Sequence, residues 1–575
     1  MLRPFFKFRP HLVDDLKGYD SAKFFQDLSA GVTVGVVALP LAMAFAIASG
    51  LQPSAGIFTA IIAGFLISLL GGSRVQIGGP AGAFIVVVYG IVEKYGLANL
   101  LISTIFAGIL LFAMGAFRLG SLIRYVPVPI VIGFTNGIAV LIALSQMKDF
   151  FGLRIDKMPG DFFAQISTLA THASTIDWTS FVLALTSLVF IFSWPRWFPA
   201  KLQSAHQITR HNFRSRLYRI LSAVPGTVVV LILSTLAVSV LSLPVDTIGT
   251  KFGGIPRELP SFTLPAFSWD LVKQLFAPTM TIVLLGAIES LLCARIADNV
   301  TGDRHDPNQE LMAQGVANFV TPFFGGMPAT GTIARTMTNI RAGAVSPIAG
   351  VLHALTLVAI VLIAAPLAEN IPLAALAAIL IFVAWNMGEW HEFARLKNFP
   401  IGYRLVMVAT FLLTVIIDLT VAVQVGLVLA CLFFIYRIAD LTRIEAIPSE
   451  TLRQPLQPGV AAYSIYGSLF FAAVGKVESL ITPQSLPGKA MILELHQLIN
   501  LDSTGLDALE NIHNLLRRQG SQLILCMPNH QPLDLMKRSG FIERLGAQNC
   551  LATLPAAIVR ANAIAGCEDI PKQPE

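Results

Sequence analysis

The chain has 575 residues, of which 55% are hydrophobic and only 13% are charged, with a mean hydropathy of +0.70. Soluble domains carry about 25% charged residues, so this composition excludes an ordinary soluble protein and indicates a polytopic membrane protein. The net charge of +6 is better explained by membrane orientation than by nucleic acid, since no basic stripe with interleaved aromatic residues occurs.

The start of the chain is a basic, Phe-rich stretch without the apolar core of a cleavable signal peptide. We therefore predict a cytoplasmic N-terminal lead over residues 1–27. The five cysteines form neither a metal-binding spacing nor a disulfide framework, so we expect no metal and no other cofactor. Three of them fall in the C-terminal tail, which fits a reducing cytosol. The five are Cys293, Cys431, Cys526, Cys550 and Cys567.

Apolar stretches at short spacing predict fourteen helical segments. The third and tenth are too short to cross about 30 Å of hydrocarbon, which takes about 20 helical residues. Non-helical backbone at that depth has to line a cavity or be buried in protein. The segments lie near residues 29–50, 54–70, 80–92, 98–117, 125–147, 178–194, 221–243, 275–298, 310–324, 331–342, 345–366, 371–387, 401–418 and 420–440.

The two short segments have matching openings, G-G-P-A-G-A-F at 78–84 and G-G-M-P-A-T-G at 325–331. Paired broken segments in corresponding places of two halves indicate a transporter's binding site. Each would present a helix N-terminus, whose partial positive charge and free N–H groups suit an anion. The alternative is a pair of Gly/Pro loops between ordinary membrane spans.

Two charged residues stand in this apolar setting. Glu289 interrupts the eighth segment, where a carboxylate costs roughly 2.5–3.5 kcal/mol on insertion scales and by default marks a pathway or a site. Arg335 lies one turn inside the tenth segment and suits a carboxylate or another oxyanion. We predict that Glu289 binds a proton and faces an anion cradle from Thr330 to Arg335. The alternative is that the two residues are only structural partners of each other.

Loop charges predict the orientation. The loop at 196–219 has six Lys or Arg residues and no Asp or Glu, whereas the loops at 148–177 and 244–273 are mixed. By the positive-inside rule the first loop is cytoplasmic, and with an even number of segments both termini are cytoplasmic.

The character of the sequence changes after Arg443, where we predict a linker at 444–459, a small α/β domain at 460–565 and a tail at 566–575. Strands alternating with helices imply a mainly parallel or mixed sheet faced by helices. The predicted strands are 461–466, 489–495 and 522–527, and helices follow D-S-T-G (502–505), begin near Pro532 and cover about 554–564.

Several motifs, in this order along the chain, resemble the SulP family of anion transporters. They are G-x-x-V-G-V-V-A-L-P-L-A-M-A-F-A at 31–46, G-G-S-R-V-Q-I-G-G-P at 71–80, G-A-I-E-S-L-L-C-A at 286–294 and G-T-I-A-R-T-M-T-N-I-R-A-G-A at 331–344. The tail around 502–505 resembles the STAS domain that this family carries. Among branches, T-P-F-F-G-G (321–326) and V-A-W-N-M (383–387) look closest to the bacterial C4-dicarboxylic-acid-uptake type.

The resemblance implies a transport domain over 28–443, built as two inverted seven-segment repeats. A core bundle of segments 1–4 and 8–11 would move against a gate bundle, the membrane parts would dimerise, and substrate would lie between segments 3 and 10. It also implies the substrate-binding residues, with packing as the alternative for the two phenylalanines. They are Phe45, Gly82, Ala83, Phe84, Cys293, Gly331, Thr332, Ala334 and Arg335.

Departures from the family pattern bear on substrate and coupling. Some bicarbonate-carrying members have an Asp with bound sodium at the Glu289 position and a Thr at the Cys293 position, so we expect a proton rather than sodium here. Many sulfate carriers have P-Q-x-x-A-Y-A where this chain has P-L-A-M-A-F-A at 40–46, which weakens the case for sulfate. Ser503 occupies the place of a serine that is phosphorylated in related antagonists; the favoured alternative is an ordinary helix N-cap.

Together these features predict a secondary active transporter of the inner membrane that takes up C4-dicarboxylates such as succinate, fumarate and aspartate with protons. The alternatives are sulfate or bicarbonate transport, anion exchange, and a STAS-based membrane regulatory scaffold. The expected partners are a second copy of the chain, membrane lipid and a cytosolic protein such as acyl carrier protein. No phosphate-binding loop and no nucleophile–base pair is present, so neither an ATPase nor another enzyme is expected.

Overall fold

The structure is a computed structural model that describes residues 8–121, 126–155, 158–197, 225–255, 258–264, 269–417, 419–448, 452, 454–478 and 487–566. Most of the basic loop at 196–219 and Cys567 lie outside these ranges. The orientation therefore stays a prediction. The chain divides into two compact units, Met1–Leu427 and Val428–Glu575.

Within the described ranges, a helix lies at every one of the fourteen predicted segments. The first begins at Ser21, inside the predicted lead, because the Asp20 side chain caps it by accepting a hydrogen bond from the Lys23 N–H at 2.8 Å. Segments 1–14 are Ser21–Ala48, Pro53–Leu70, Phe84–Tyr95, Leu97–Ala116, Val128–Phe150, Trp178–Trp197, Gly226–Leu241, Trp269–Thr301, Pro307–Val320, Ile333–Arg341, Ile348–Ala368, Leu373–Met387, Ile401–Ile416 and Leu419–Leu441.

Seven of the described helices are both long and apolar enough to cross a membrane, and segments 7, 11, 12 and 13 are apolar but shorter in the stretches that qualify. Segments 3 and 10 have only 12 and 9 residues, as their half-length patterns predicted. The chain is therefore a multi-pass membrane protein with two short segments.

Segment packing follows a two-fold pattern. Segments 1–4 and 8–11 form one bundle, in which segment 4 packs on segment 9 and segment 2 on segment 11. Segments 5, 6, 7, 12 and 13 pack on one another, with segment 5 against 13 and segment 6 against 12. Segments that lie seven places apart, such as 4 and 11 or 2 and 9, are counterparts in the two repeats. Replacing each segment by its counterpart converts the 4–9 contact into the 11–2 contact and the 5–13 contact into the 12–6 contact, which is what two inverted repeats produce. The predicted core and gate bundles are confirmed.

Glycines permit a close contact between two helices of the core bundle. A Cβ placed on Gly108 of segment 4 would lie 2.7 Å from the Gly315 carbonyl oxygen of segment 9, and one placed on Gly315 would lie 2.7 Å from that of Gly108. Small residues at such a crossing let the two backbones approach, which is how helices gain packing energy in lipid.

Two short strands lie in the first unit, β1 Gly78–Gly79 and β2 Thr330–Gly331, and the second unit carries a mixed sheet. The strands of this sheet are β3 Arg443–Ala446, β4 Val460–Leu469, β5 Ala490–Glu494, β6 Leu498–Leu501, β7 Gln522–Cys526 and β8 Cys550–Leu551. Their order is β3-β4-β5-β7-β8, and β6 pairs with β4. The β3–β4 pair is antiparallel and the other pairs are parallel, which confirms the α/β prediction; β3, β6 and β8 were not predicted.

Helices cover the sheet on both faces. Leu509, Ile512 and Leu516 of one helix join a core with Leu493 and Leu525, and another cluster lies under the last helix. Burial raises the pKa of the Cys526 thiol to about 12, so this cysteine is an inert core residue. The longer helices of the sheet region are Ser503–Arg518, His530–Arg538 and Leu554–Gly566, and the shorter ones are Val474–Glu478 and Phe541–Leu545.

Candidate functional site

The two Gly/Pro openings meet as a two-stranded antiparallel ladder. Strand β1, Gly78–Gly79, pairs with β2, Thr330–Gly331, with Gly78 opposite Gly331 and Gly79 opposite Thr330. Segment 10 begins at Ile333, shortly after β2, and segment 3 begins at Phe84, after the Pro80–Ala83 turn that follows β1. The ladder therefore joins the openings of the two short segments. No side-chain cap is recorded at either start, Ala83 or Thr332. At segment 3 the Phe84 and Ile85 N–H groups donate to the Ala81 and Gly82 carbonyls at 3.1 Å. The first turn of segment 10 is therefore the one that can offer free backbone N–H groups to a ligand.

Arg335 is the largest fully buried side chain of the described residues, with 1% of its surface exposed. Its Nε, Nη1 and Nη2 atoms have no hydrogen-bond partner among those residues. The guanidinium rests on Gly79, where a Cβ would lie 2.1 Å from Nη1 and where φ is +150°. Removing a charge from water without a partner is costly, so the guanidinium is left with unmet hydrogen-bonding capacity that an anionic ligand could satisfy.

Glu289 lies on segment 8, and its buried Oε2 has no hydrogen-bond partner among the described residues. The side chain is partly exposed, unlike that of Arg335. No ion pair joins Glu289 and Arg335 in the described structure, so the alternative that they serve only as each other's partner is not the arrangement seen. Both groups are left available to bind something else.

Short hydrogen bonds fix segment 10 and its opening in place. The Cys293 thiol of segment 8 donates to Thr336 Oγ1 at 3.3 Å, one residue beyond Arg335. Thr330 Oγ1 donates to the Gly286 carbonyl at 3.1 Å, and Thr332 Oγ1 donates to the Ile77 carbonyl at 3.0 Å. Cys293 and Thr332 therefore position the cradle through their own hydrogen bonds.

An apolar wall stands on the segment 3 side. A Cβ on Gly82 would lie 3.6 Å from Phe45 Cε1, and a Cβ on Gly286 would lie 3.7 Å from Phe84 Cζ. Phe45, Ala83 and Phe84 are all buried. These residues form an apolar surface around Gly82 and Gly286. The two phenylalanine rings are packed against their neighbours, which is the alternative role considered for them in the sequence analysis.

Access differs between two neighbouring residues of segment 10. Ala334 is exposed, whereas Arg335 is buried. Successive residues of a helix point about 100° apart, so Ala334 looks to the open side and Arg335 into the protein. Gly331 is covered by Gln76, because a Cβ there would lie 1.7 Å from Gln76 Nε2.

The sequence interpretation missed a buried polar chain beside the cradle. Gln76 Nε2 donates to Ser290 Oγ at 3.1 Å, and Ser290 Oγ in turn contacts Glu310 Oε1 at 3.4 Å. Gln314 Nε2 donates to the same Glu310 oxygen at 2.9 Å, and the Gly72 N–H donates to Oε2 at 3.0 Å. Glu310 is fully buried. The sequence signal for this chain was a second acid, Glu310, within a predicted segment. It was missed because Glu310 is the first residue of the predicted ninth segment (310–324), where a charged residue is ordinary.

Ser503 is not the helix cap. The cap is Asp502, whose Oδ1 accepts from the Gly505 N–H at 2.8 Å. The carboxylate of Asp502 is a stronger acceptor for that N–H than a hydroxyl, so the favoured capping interpretation of Ser503 is wrong. Ser503 is the first helical residue and is exposed. Its phosphorylation stays a prediction.

Comparison with known proteins gives two family matches and several full-length likenesses. The model described as the sulfate permease family matches residues 24–410, and that of the STAS domain matches residues 452–557. A candidate sulfate transporter of Bacillus subtilis, YvdB, is 41% identical over 93% of this chain and 97% of its own length.

Two solved structures share the architecture. The transmembrane domain of a cyanobacterial bicarbonate transporter, BicA, is 28% identical, with a TM-score of 0.61, over 71% of this chain and 98% of its own. The murine Slc26a9 anion transporter in its inward-facing state has a TM-score of 0.82 over 96% of this chain and 94% of its own. At 18% identity the second likeness concerns the fold alone.

Proposed function

Because this chain belongs to the sulfate permease family and carries its STAS domain, it is an anion transporter, and we propose that it takes up sulfate by secondary active transport. The family consists of transporters and not enzymes. The observation that carries the proposal is Arg335, a buried guanidinium without a protein partner where segments 3 and 10 begin. A buried cation without a partner favours an anionic ligand over a neutral one such as uracil.

The shape of the site favours a compact anion. The described residues place one buried guanidinium, that of Arg335, one turn inside the uncapped start of segment 10, which suits an oxyanion whose charge is centred on one atom. A C4-dicarboxylate has carboxylates at opposite ends and needs two separated anchors. The relatives described above are named as sulfate and bicarbonate transporters, so the C4-dicarboxylate expectation has no support from them.

The missing polar groups of segment 1 do not count against sulfate as strongly as the sequence suggested. Leu41 and Phe45 replace a Gln and a Tyr there, but Gln76 Nε2 lies against Gly331, and its hydrogen bond to Ser290 Oγ at 3.1 Å uses only one of its two N–H groups. A side-chain amide is therefore supplied next to the cradle from the loop before segment 3. Amide donors of this kind bind oxyanions well.

Bicarbonate is the second candidate. The observation in its favour is the likeness to the cyanobacterial bicarbonate transporter over almost the whole of that protein's transmembrane domain. Bicarbonate is also compact and would be neutralised by Arg335 alone.

We further propose that a proton drives uptake and that Glu289 carries it. Glu289 is partly exposed and has a buried oxygen without a hydrogen-bond partner among the described residues, so its carboxylate is free to take up a proton. Protonation removes a negative charge near the cradle, the anion then binds at Arg335, and the core bundle moves against the gate bundle. Sodium coupling, homodimerisation, the inner membrane, cytoplasmic termini and an acyl carrier protein partner are separate hypotheses that this cycle does not need.

Uptake of labelled sulfate into proteoliposomes tests the substrate. We expect accumulation that depends on an inward proton gradient and is reduced more by unlabelled sulfate than by bicarbonate or fumarate. Fumarate uptake resistant to sulfate would restore the dicarboxylate prediction. Bicarbonate uptake without sulfate uptake would select the second candidate, and no uptake of any anion would favour a regulatory scaffold.

A further inference from the structure

A second buried group that can carry a positive charge lies beside the cradle. His353 of segment 11 is 0% exposed, and neither Nδ1 nor Nε2 has a hydrogen-bond partner among the described residues. Buried imidazole nitrogens are normally hydrogen-bonded, one as donor and the other as acceptor. A structural role alone does not account for two unpartnered nitrogens, and an ionisable residue within a membrane segment is a candidate functional group.

His353 and Arg335 flank the same strand. A Cβ on Gly64 of segment 2 would lie 3.4 Å from His353 Cε1 and 3.2 Å from the Gly78 carbonyl oxygen, so the imidazole approaches β1 at Gly78. The Arg335 guanidinium touches Gly79, the next residue. His353 and Arg335 therefore lie near consecutive residues of β1.

Other charges near His353 are few. From segment 1, Asp27 accepts hydrogen bonds from the Val345 and Ser346 N–H groups at 2.8 and 3.2 Å, just before segment 11 begins at Ile348; these groups lie about 10 Å before His353 along the axis of the segment. Segment 2 has no charged residue, and it adds only the buried Ser68 hydroxyl, which has no recorded partner. From segment 10 the charge is Arg335. Glu289 and Glu310 are acids of segments 8 and 9, and no ion pair joins either of them to His353 in the described structure. An anion at the cradle would add a negative charge beside Arg335, next to the strand that His353 approaches.

We propose that His353 takes up a proton when a doubly charged anion binds, and so supplies the second positive charge that a dianion needs. This inference rests on the proposed function, because it concerns how sulfate is held. Arg335 alone balances a monovalent anion, whereas sulfate leaves one negative charge over. Inside a membrane protein an unbalanced charge is costly, and a histidine can remove it by binding a proton near neutral pH.

The charges balance in both states. In the empty site Arg335 is positive, Glu289 is negative and His353 is neutral. With sulfate bound, Glu289 is protonated and neutral, Arg335 and His353 are each positive, and the dianion cancels both. Two protons from the bulk solution therefore accompany each sulfate, one on Glu289 and one on an imidazole nitrogen of His353. A monovalent anion needs only the proton on Glu289.

Calorimetry of sulfate binding to the purified full chain tests this, in two buffers of different ionisation enthalpy, which gives the number of protons taken up per anion. We expect two for the wild type and one for His353→Gln, with sulfate affinity at least about tenfold weaker, as for the loss of one charge-assisted contact. His391→Gln is the matched control, because the His391 side chain is 66% exposed. This variant should take up two protons per sulfate, as the wild type does.

The outcomes separate the two proposals. An unchanged proton count in His353→Gln would overturn the role of His353 while leaving sulfate transport intact. If that variant does not fold, the wild-type count decides, since one proton per sulfate contradicts the proposal. If the wild type binds no sulfate, the proposed substrate fails and fumarate replaces it as the dianion. A wild type that binds only bicarbonate overturns both.

Discussion

Two helix starts in this protein are built from similar residues, but one is capped by a side chain and the other is not. Segment 10 begins at T-G-T-I-A-R and the helix of the STAS domain begins at D-S-T-G-L. Both have a glycine in a tight place, since a Cβ on Gly331 would lie 1.7 Å from Gln76 Nε2 and one on Gly505 would lie 2.5 Å from the Leu469 carbonyl oxygen. In the STAS domain Asp502 caps the helix, whereas no side chain is recorded as capping segment 10.

The two helix starts differ in whether their polar groups are hydrogen-bonded within the protein. The STAS helix satisfies its N-terminus within the protein, which stabilises the domain. Segment 10 keeps its first turn open, and Arg335 is buried one turn further on without a partner. Unsatisfied polar groups cost stability, so their concentration at this helix start is the reason why we propose it as the place where the anion binds.

The largest expected effect comes from breaking the open helix start. Arg335→Ala should weaken sulfate uptake affinity by about 10- to 150-fold, because charge-assisted hydrogen bonds contribute about 1.5–3 kcal/mol. The measurement is the KM for sulfate uptake into proteoliposomes. Arg341→Ala is the control, since Arg341 lies on the same segment but is exposed. Equal affinities of Arg335→Ala and wild type would remove Arg335 from the site.

Glu289→Gln should abolish the dependence of uptake on external pH. Wild-type uptake is expected to rise as pH falls, by up to about tenfold per pH unit if one proton limits it. The variant mimics the protonated acid at every pH and should give a flat profile. Glu389→Gln, at an exposed position, should keep the wild-type profile, and a pH response retained in Glu289→Gln would sink the coupling role.

Gly79→Ala tests whether the position of the guanidinium matters as well as its charge. The new methyl group would lie 2.1 Å from Arg335 Nη1, so the guanidinium has to move. We expect sulfate affinity to fall about fivefold, or about 1 kcal/mol, with the charge retained. Gly90→Ala is the matched control on segment 3, because nothing lies within 4 Å of a Cβ there. Identical KM values for the two variants would show that the contact with Gly79 is unimportant.

The smallest effect is expected at the capped helix start of the STAS domain, Ser503–Arg518. Asp502→Ala should lower the stability of the STAS domain by about 1 kcal/mol, and Ser503→Ala should change it little because Ser503 is not the cap. Hydrogen exchange of the amides in Ser503–Arg518, measured in the full chain, reports this. Greater loss of protection in Ser503→Ala than in Asp502→Ala would contradict the assignment of the cap.

Local patterns were enough for much of the architecture. The apolar runs predicted all fourteen helical segments, and the two Gly/Pro openings predicted which of them are short. In the STAS domain, alternation and amphipathic spacing predicted three strands and the helix after 502–505. Each of these predictions depends only on residues that are neighbours in sequence. The periodicity that reveals a helix or a strand is visible within a single segment.

The sequence also determined which residues bring charge into the membrane, since Glu289 and Arg335 stand out in apolar surroundings. Only the tertiary structure decided which polar groups find partners. The Gly72 N–H and Glu310 are 238 positions apart, and His353 approaches Gly78 only because segments 2 and 11 pack together. Hydrogen-bond partners depend on distances between segments remote in sequence, which no local period encodes; that is why the open cradle at Arg335 and the unpartnered imidazole of His353 emerge only from the fold.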